Sequence, residues 1–95
     1  MRSMATTVVQ RSLEVKNRLG LHARAAAQFV QTAAPFEAEI TVTKDDQVVN
    51  GKSILGLMML AAGPGSKLTV HAEGQDASAA LAELENLIQS KFDEE

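Results

Sequence analysis

Glu37-Ala38-Glu39-Ile40-Thr41-Val42-Thr43 alternates cleanly, with Ala38, Ile40 and Val42 on one side and charged or hydroxyl side chains on the other. That two-residue period belongs to a strand with one wet face. Lys44-Asp45-Asp46-Gln47 then turns the chain into Val48-Val49, a short return strand. A sheet of such strands is covered on one side only. Downstream, Lys67-Leu68-Thr69-Val70-His71-Ala72 repeats the pattern, with Leu68, Val70 and Ala72 inward and His71 on the wet side. Upstream, Val8 to Val15 places Val9, Leu13 and Val15 on one face, a strand whose apolar side Arg11 interrupts.

Between the strands the period changes to that of helices. From His22, the spacing Ala23, Ala26/Ala27, Val30, Ala33/Ala34 predicts an Ala-rich helix that Pro35 ends by pushing Ala34 out of the α region. Asp76, a good N-cap residue, opens a helix with Ala77, Ala80/Leu81, Leu84 and Leu87/Ile88 on one stripe. Ser53 caps a third, Ile54-Leu55-Gly56-Leu57-Met58-Met59-Leu60-Ala61-Ala62, stopped by Gly63-Pro64-Gly65. This helix has no polar face. Either it sinks into the core, or it leaves a Met-bearing surface for partners. The element order predicts a two-layer α+β domain.

Composition narrows the function classes. The chain has 95 residues, 9 Lys+Arg, 12 Asp+Glu and no Cys, Trp or Tyr. It is one domain, 1–95, with a core over about 7–91 and flexible ends at 1–6 and 92–95, Asp93-Glu94-Glu95 reading as a solvated tail. Without Cys there is no thiolate chemistry and no Cys-based zinc site, and His22 and His71 lack a carboxylate motif at ligand spacing, so no metal is expected. A net charge of −3 and few aromatic side chains argue against nucleic acid. Met1 to Thr7 lack the apolar stretch of a signal peptide, and no run is long enough for a membrane span; the expectation is a cytoplasmic domain. Charge is uneven, however. Residues 1–36 hold five basic side chains against Glu14 alone, a net +4, and residues 37–95 hold four basic and eleven acidic, a net −7. This fits chance in a short chain or a positive site for an anion.

His22 lies where loop becomes helix, between Gly20-Leu21 and Ala23-Arg24. The first N–H groups of a helix lack partners and attract anions. A phosphoryl group on a ring nitrogen there would land on those donors, and Arg24 could clamp the same oxygens. Such a constellation suits phosphoryl transfer through phosphohistidine. A histidine at this place also serves simply as a cap or surface residue, and spacing alone leaves both readings open.

Gly20-Leu21-His22-Ala23-Arg24-Ala25-Ala26-Ala27 resembles the Gly-Leu-His-Ala-Arg-Pro-Ala motif of the HPr family, histidine phosphocarriers of the bacterial sugar phosphotransferase system. The resemblance continues through Phe29-Val30, Glu39-Ile40-Thr41-Val42, Gly51-Lys52-Ser53-Ile54-Leu55-Gly56-Leu57-Met58 and Ala72-Glu73-Gly74-Gln75-Asp76, covering about residues 7–91. It implies an open-faced β-sandwich, a four-stranded antiparallel sheet in the order 1-4-2-3 under three helices. It implies that His22 takes a phosphoryl group on Nδ1 from enzyme I and passes it to a IIA domain, steadied by Arg24. Ser53 matches a serine modified by an ATP-dependent HPr kinase/phosphorylase; as an N-cap it needs no regulatory role. Ile54, Leu55 and Met58, with Ala23 and Ala27, match the partner-docking patch. Lys16, Arg18 and Lys52 either ring the active end or are ordinary solubility charges. The resemblance implies a monomeric carrier without cofactor, not a stand-alone enzyme. Its rivals are a regulatory module of the same fold, serving a nitrogen-type branch or catabolite control, and a non-catalytic adaptor. Ala25 departs from the usual Pro, which affects the freedom of the loop beside His22.

Overall fold

The computed structural model describes residues 6–94; the expected flexible end at 1–6 therefore lies, apart from exposed Thr6, outside the described residues. The elements run β1 (Val8–Glu14), α1 (Ala23–Ala33), β2 (Glu39–Lys44), β3 (Gln47–Asn50), α2 (Ile54–Met59), β4 (Lys67–Glu73) and α3 (Ala77–Gln89), followed by a single 3₁₀ turn, Lys91–Asp93. The four strands form one antiparallel sheet in the order β1-β4-β2-β3, as the resemblance implies.

The alternation in the sequence becomes the inner face of that sheet. Ile40 pairs with Ala72 and Val42 with Val70, and Leu13 pairs with Leu68 on the other side of β4. All six are buried against α1 and α3, around Phe29, Leu81, Leu84 and Ile88. Burying each large aliphatic side chain contributes about 1.5–3 kcal/mol. Arg11, opposite Val70, escapes the apolar face by reaching Glu85 of α3, Nη1 to Oε1 2.8 Å. The β2–β3 loop has two residues, and Asp45 at φ 54 takes the left-handed conformation that so tight a hairpin requires.

Four local expectations need correction. Ala34 keeps helical dihedrals (φ −58, ψ −38); α1 ends because Pro35 has no N–H to offer, not because it displaces its neighbour. Asp76 stands at the N-cap of α3 but makes no side-chain cap. Its carboxylate instead accepts from the Glu37 and Ala38 N–H groups, both at 2.9 Å, joining the start of α3 to the approach to β2. The third helix stops at Met59 instead of running to Ala62. Ala61 turns left-handed (φ 51), which buries Leu60 and Ala62. Finally, the end expected to be flexible over 92–95 is partly packed: of its described residues, Asp93 is exposed as expected, but the other two are not. Phe92 is 1% exposed, in contact with the core, and Glu94 folds back onto the loop before α1.

Candidate functional site

His22 is the N-cap residue of α1, extended at φ −75, ψ 179, and its side chain makes no cap bond. The helix's bonding starts with the Ala26 N–H on the His22 carbonyl, 2.8 Å. The amides of Ala23, Arg24 and Ala25 precede that bond and form the electropositive helix end, with no acidic side chain in the first turn. Ala25 itself is fully buried. The preceding loop is held by two devices. Gly20 turns left-handed (φ 67), and the Leu21 N–H donates to the carbonyl of Ala62, just beyond α2, at 2.8 Å. A Cβ on Gly20 would lie 2.2 Å from that same oxygen, so only glycine fits. Asn17, 1% exposed, closes the loop by donating from Nδ2 to the Gly20 carbonyl at 2.7 Å.

The ring of His22 is 27% exposed and Nε2 lies 2.7 Å from Oε2 of Glu94. Asn17 Nδ2 donates to the same oxygen at 2.9 Å. His22's hydrogen bond, with Asn17 adding, holds the Glu94 carboxyl below its ordinary range against the opposing effect of desolvation. These groups line an open cleft with Lys16, Arg18, Leu19, Arg24, Lys91 and Asp93. Four cationic side chains face two carboxylates there, and three of the four, Lys16, Arg18 and Arg24, come from the basic stretch 1–36. The cleft is open beside the partly exposed imidazole of His22.

Four of the residues singled out from sequence share one cleft, and Lys52 and Ser53 lie outside it. Arg24 is exposed and lines the same cleft as His22. Lys16 and Arg18 do too, whereas Lys52 is remote from it. Lys52 donates from Nζ to the carbonyl of Phe36, beyond the opposite end of α1, about 16 Å of helix away from His22. Ser53 caps α2 as expected, Oγ accepting from the Gly56 N–H at 3.0 Å. It shares the Lys52 end, so the length of α2 separates it from the loop that carries His22. Ile54 (42%), Leu55 (69%), Met58 (41%) and Met59 (62%) are all exposed, while Leu57 and Leu60 are buried. One face of α2 therefore enters the core and the other stays in solvent. Ala23 is exposed and Ala27 half-buried on α1, which packs against α2. His71 is partly exposed on β4. Asn17, Lys91, Asp93 and Glu94 join the site without having been singled out for it. No helix among the described residues is long and apolar enough to cross a membrane, and no group of three or more His, Asp or Glu there could hold a metal.

An open-faced α+β sandwich with a partly exposed histidine at a helix N-terminus, in a cleft lined by four cationic side chains, is the class of protein that fold and site define. The comparisons with known proteins give that class its family. The family model described as PTS HPr component phosphorylation site matches residues 9–90. Phosphocarrier protein HPr of Neisseria meningitidis serogroup A is 48% identical over 87 residues, 92% of this chain and 98% of the relative. Phosphocarrier protein NPr of Shewanella violacea is 43% identical over 88 residues, 93% of this chain and 97% of the relative. Among solved structures, HPr from Thermoanaerobacter tengcongensis superposes with a TM-score of 0.88 at 48% identity, covering 92% of this chain and 98% of its own. The chain belongs to the HPr phosphocarrier family of the phosphotransferase system.

Proposed function

We propose that His22 is the phosphoryl acceptor, and that this chain carries the group from the phosphohistidine of enzyme I to a IIA domain. The observation that carries the reading is the N-cap position of an accessible ring with Arg24 in its cleft. Glu94 engages Nε2, which leaves Nδ1 as the nitrogen to attack phosphorus. The P–N bond to the donor breaks as the P–Nδ1 bond forms. The phosphoryl oxygens then face the α1 amides, and the Arg24 guanidinium binds them through charge-assisted hydrogen bonds. The exposed Ile54, Leu55 and Met58, with Ala23 and Ala27, form the surface on which partners dock. The acting species is the monomer.

Ser53 is the regulatory site, modified by an ATP-dependent kinase. A phosphate at the start of α2 places about two negative charges at one end of the docking surface, away from His22. It therefore weakens enzyme I binding and leaves the chemistry at the ring intact. The test uses phosphoenolpyruvate and enzyme I. Acid-labile label that disappears in His22→Ala supports the carrier, and base-labile or absent label refutes it. Arg24→Ala should lower the acceptance rate by roughly tenfold or more, the scale of a lost charge-assisted clamp. For the serine, incubation with an HPr kinase and ATP must add a phosphate that Ser53→Ala abolishes.

A further inference from the structure

Glu94 lies beyond residues 9–90, the span that the family model matches, and in the segment that reads from sequence as solvent-exposed. Yet its carboxylate is 15% exposed, shares one oxygen between His22 Nε2 and Asn17 Nδ2, and is held there by the burial of Phe92 two residues earlier. Asn17 is in turn tied to the Gly20 carbonyl. The chain Gly20–Asn17–Glu94–His22 therefore connects the turn before α1 to the ring through three hydrogen bonds of 2.7, 2.9 and 2.7 Å.

A carboxylate only accepts, so at this contact the ring must donate, and its proton sits on Nε2. In the neutral ring Nδ1 then carries the lone pair. We propose that Glu94 is a positioning residue for phosphoryl transfer: it fixes the Nε2–H tautomer and ring orientation of His22 and faces the positive charge that phosphorylation puts on the imidazole. The proposal rests on His22 being the phosphoryl acceptor. The step balances without any further proton transfer. The Nδ1 lone pair forms the new P–N bond, the donor nitrogen keeps the electron pair of the broken one, and the Nε2 proton stays in place. The product ring is an imidazolium bearing a dianionic phosphoryl group. Glu94 contacts it at Nε2, across the ring from Nδ1, while Arg24 and Lys91 line the cleft that receives the phosphoryl charge.

The test compares wild type, Glu94→Ala and Glu94→Gln in the full chain. ¹⁵N NMR of His22 reads the tautomer, and phosphoryl acceptance from phosphoenolpyruvate and enzyme I reads the chemistry. In wild type the ¹⁵N shifts should mark Nε2 as protonated and Nδ1 as not. In Glu94→Ala the two shifts should converge, kcat of enzyme I with the variant as acceptor should fall about 3- to 10-fold with KM for the carrier unchanged, and the transfer equilibrium should move toward the donor by a similar factor. Glu94→Gln keeps an acceptor oxygen without the charge, so it should restore the ¹⁵N pattern and only part of kcat. A Glu94→Ala protein with wild-type shifts and wild-type kcat overturns the proposal while leaving His22 as acceptor. A wild-type chain that takes no label on His22 overturns both.

Discussion

Replacing Phe92 by Ala tests the feature of this structure that its sequence conceals most. Lys91, Phe92 and Asp93 have φ of 60, 55 and 58. Left-handed backbone costs an L-residue about 1–2 kcal/mol, so the turn stores about 3–6 kcal/mol. Its main anchor is the Phe92 ring, 1% exposed in the same cluster as Leu84 and Ile88. Deleting a buried Phe side chain costs about 3–5 kcal/mol. The two quantities nearly balance, so without the ring the turn should unwind and recover part of its strain. The net loss should be about 2 kcal/mol, or a fall in Tm of about 8–16 °C for a domain this size. Urea denaturation at matched m-value measures it. Glu94 should leave His22 in the same variant, which its side-chain resonances report. A loss under about 0.5 kcal/mol, the size of an ordinary surface change, would refute the reasoning and restore the solvated tail.

Three further outcomes follow from the same geometry. Gly20→Ala combines left-handed backbone with a Cβ 2.2 Å from the Ala62 carbonyl; it should destabilise by about 3 kcal/mol in urea melts, and a wild-type midpoint would refute the packing described. Ser53→Ala loses the bond to the Gly56 N–H and should cost about 1 kcal/mol in thermal unfolding, whereas Ser53→Asp, which keeps an acceptor, should cost much less. The Asp76 carboxyl is held below its ordinary range, chiefly by the Glu37 N–H and then, against desolvation, by that of Ala38. Its stabilising effect is complete above the unfolded-state value and disappears as pH falls through the lowered native one, so Asp76→Asn should flatten the acid limb of the stability–pH curve and leave its neutral-pH slope unchanged.

The sheet was legible because its strands alternate without ambiguity, and one wet face per strand permits few layer arrangements. Ser53 was legible because an N-cap acts over three residues. Asp76 shows the limit: the same local preference placed it at a helix start, but its carboxylate serves an approach to β2 that lies 39 residues away in the chain. Glu94 was further out of reach. Its partner is 72 residues distant, and the turn that aims it uses left-handed backbone at three residues, none of them glycine, so no turn signal marks it. For Lys52, left open between the active end and an ordinary charge, the reason it lies outside the cleft is simpler. Neighbours of Ser53 look close to His22 in motif order, but α2 runs from the Phe36 end of α1 toward Leu21, and distance along that helix separates them.

The loop that carries His22 is tied to the segment after α2 by a backbone bond, Leu21 N–H to the Ala62 carbonyl. That connection matters for a carrier, which has to bind two partners in turn and release both. The apolar side chains exposed on α2 are few and none of them lines the cleft, so on the docking role proposed for them contact area is gained without sealing it. The ring keeps about a quarter of its surface in solvent, which on the role proposed for His22 leaves it open to a donor imidazole and later to an acceptor. A deeper site would hold the phosphoryl group more tightly and give it up more slowly, since binding that does not strengthen in the transition state does not accelerate the next transfer. On the reading proposed for His22, helix amides, one guanidinium and a single carboxylate suffice because the group is held in a shallow cleft between two brief encounters.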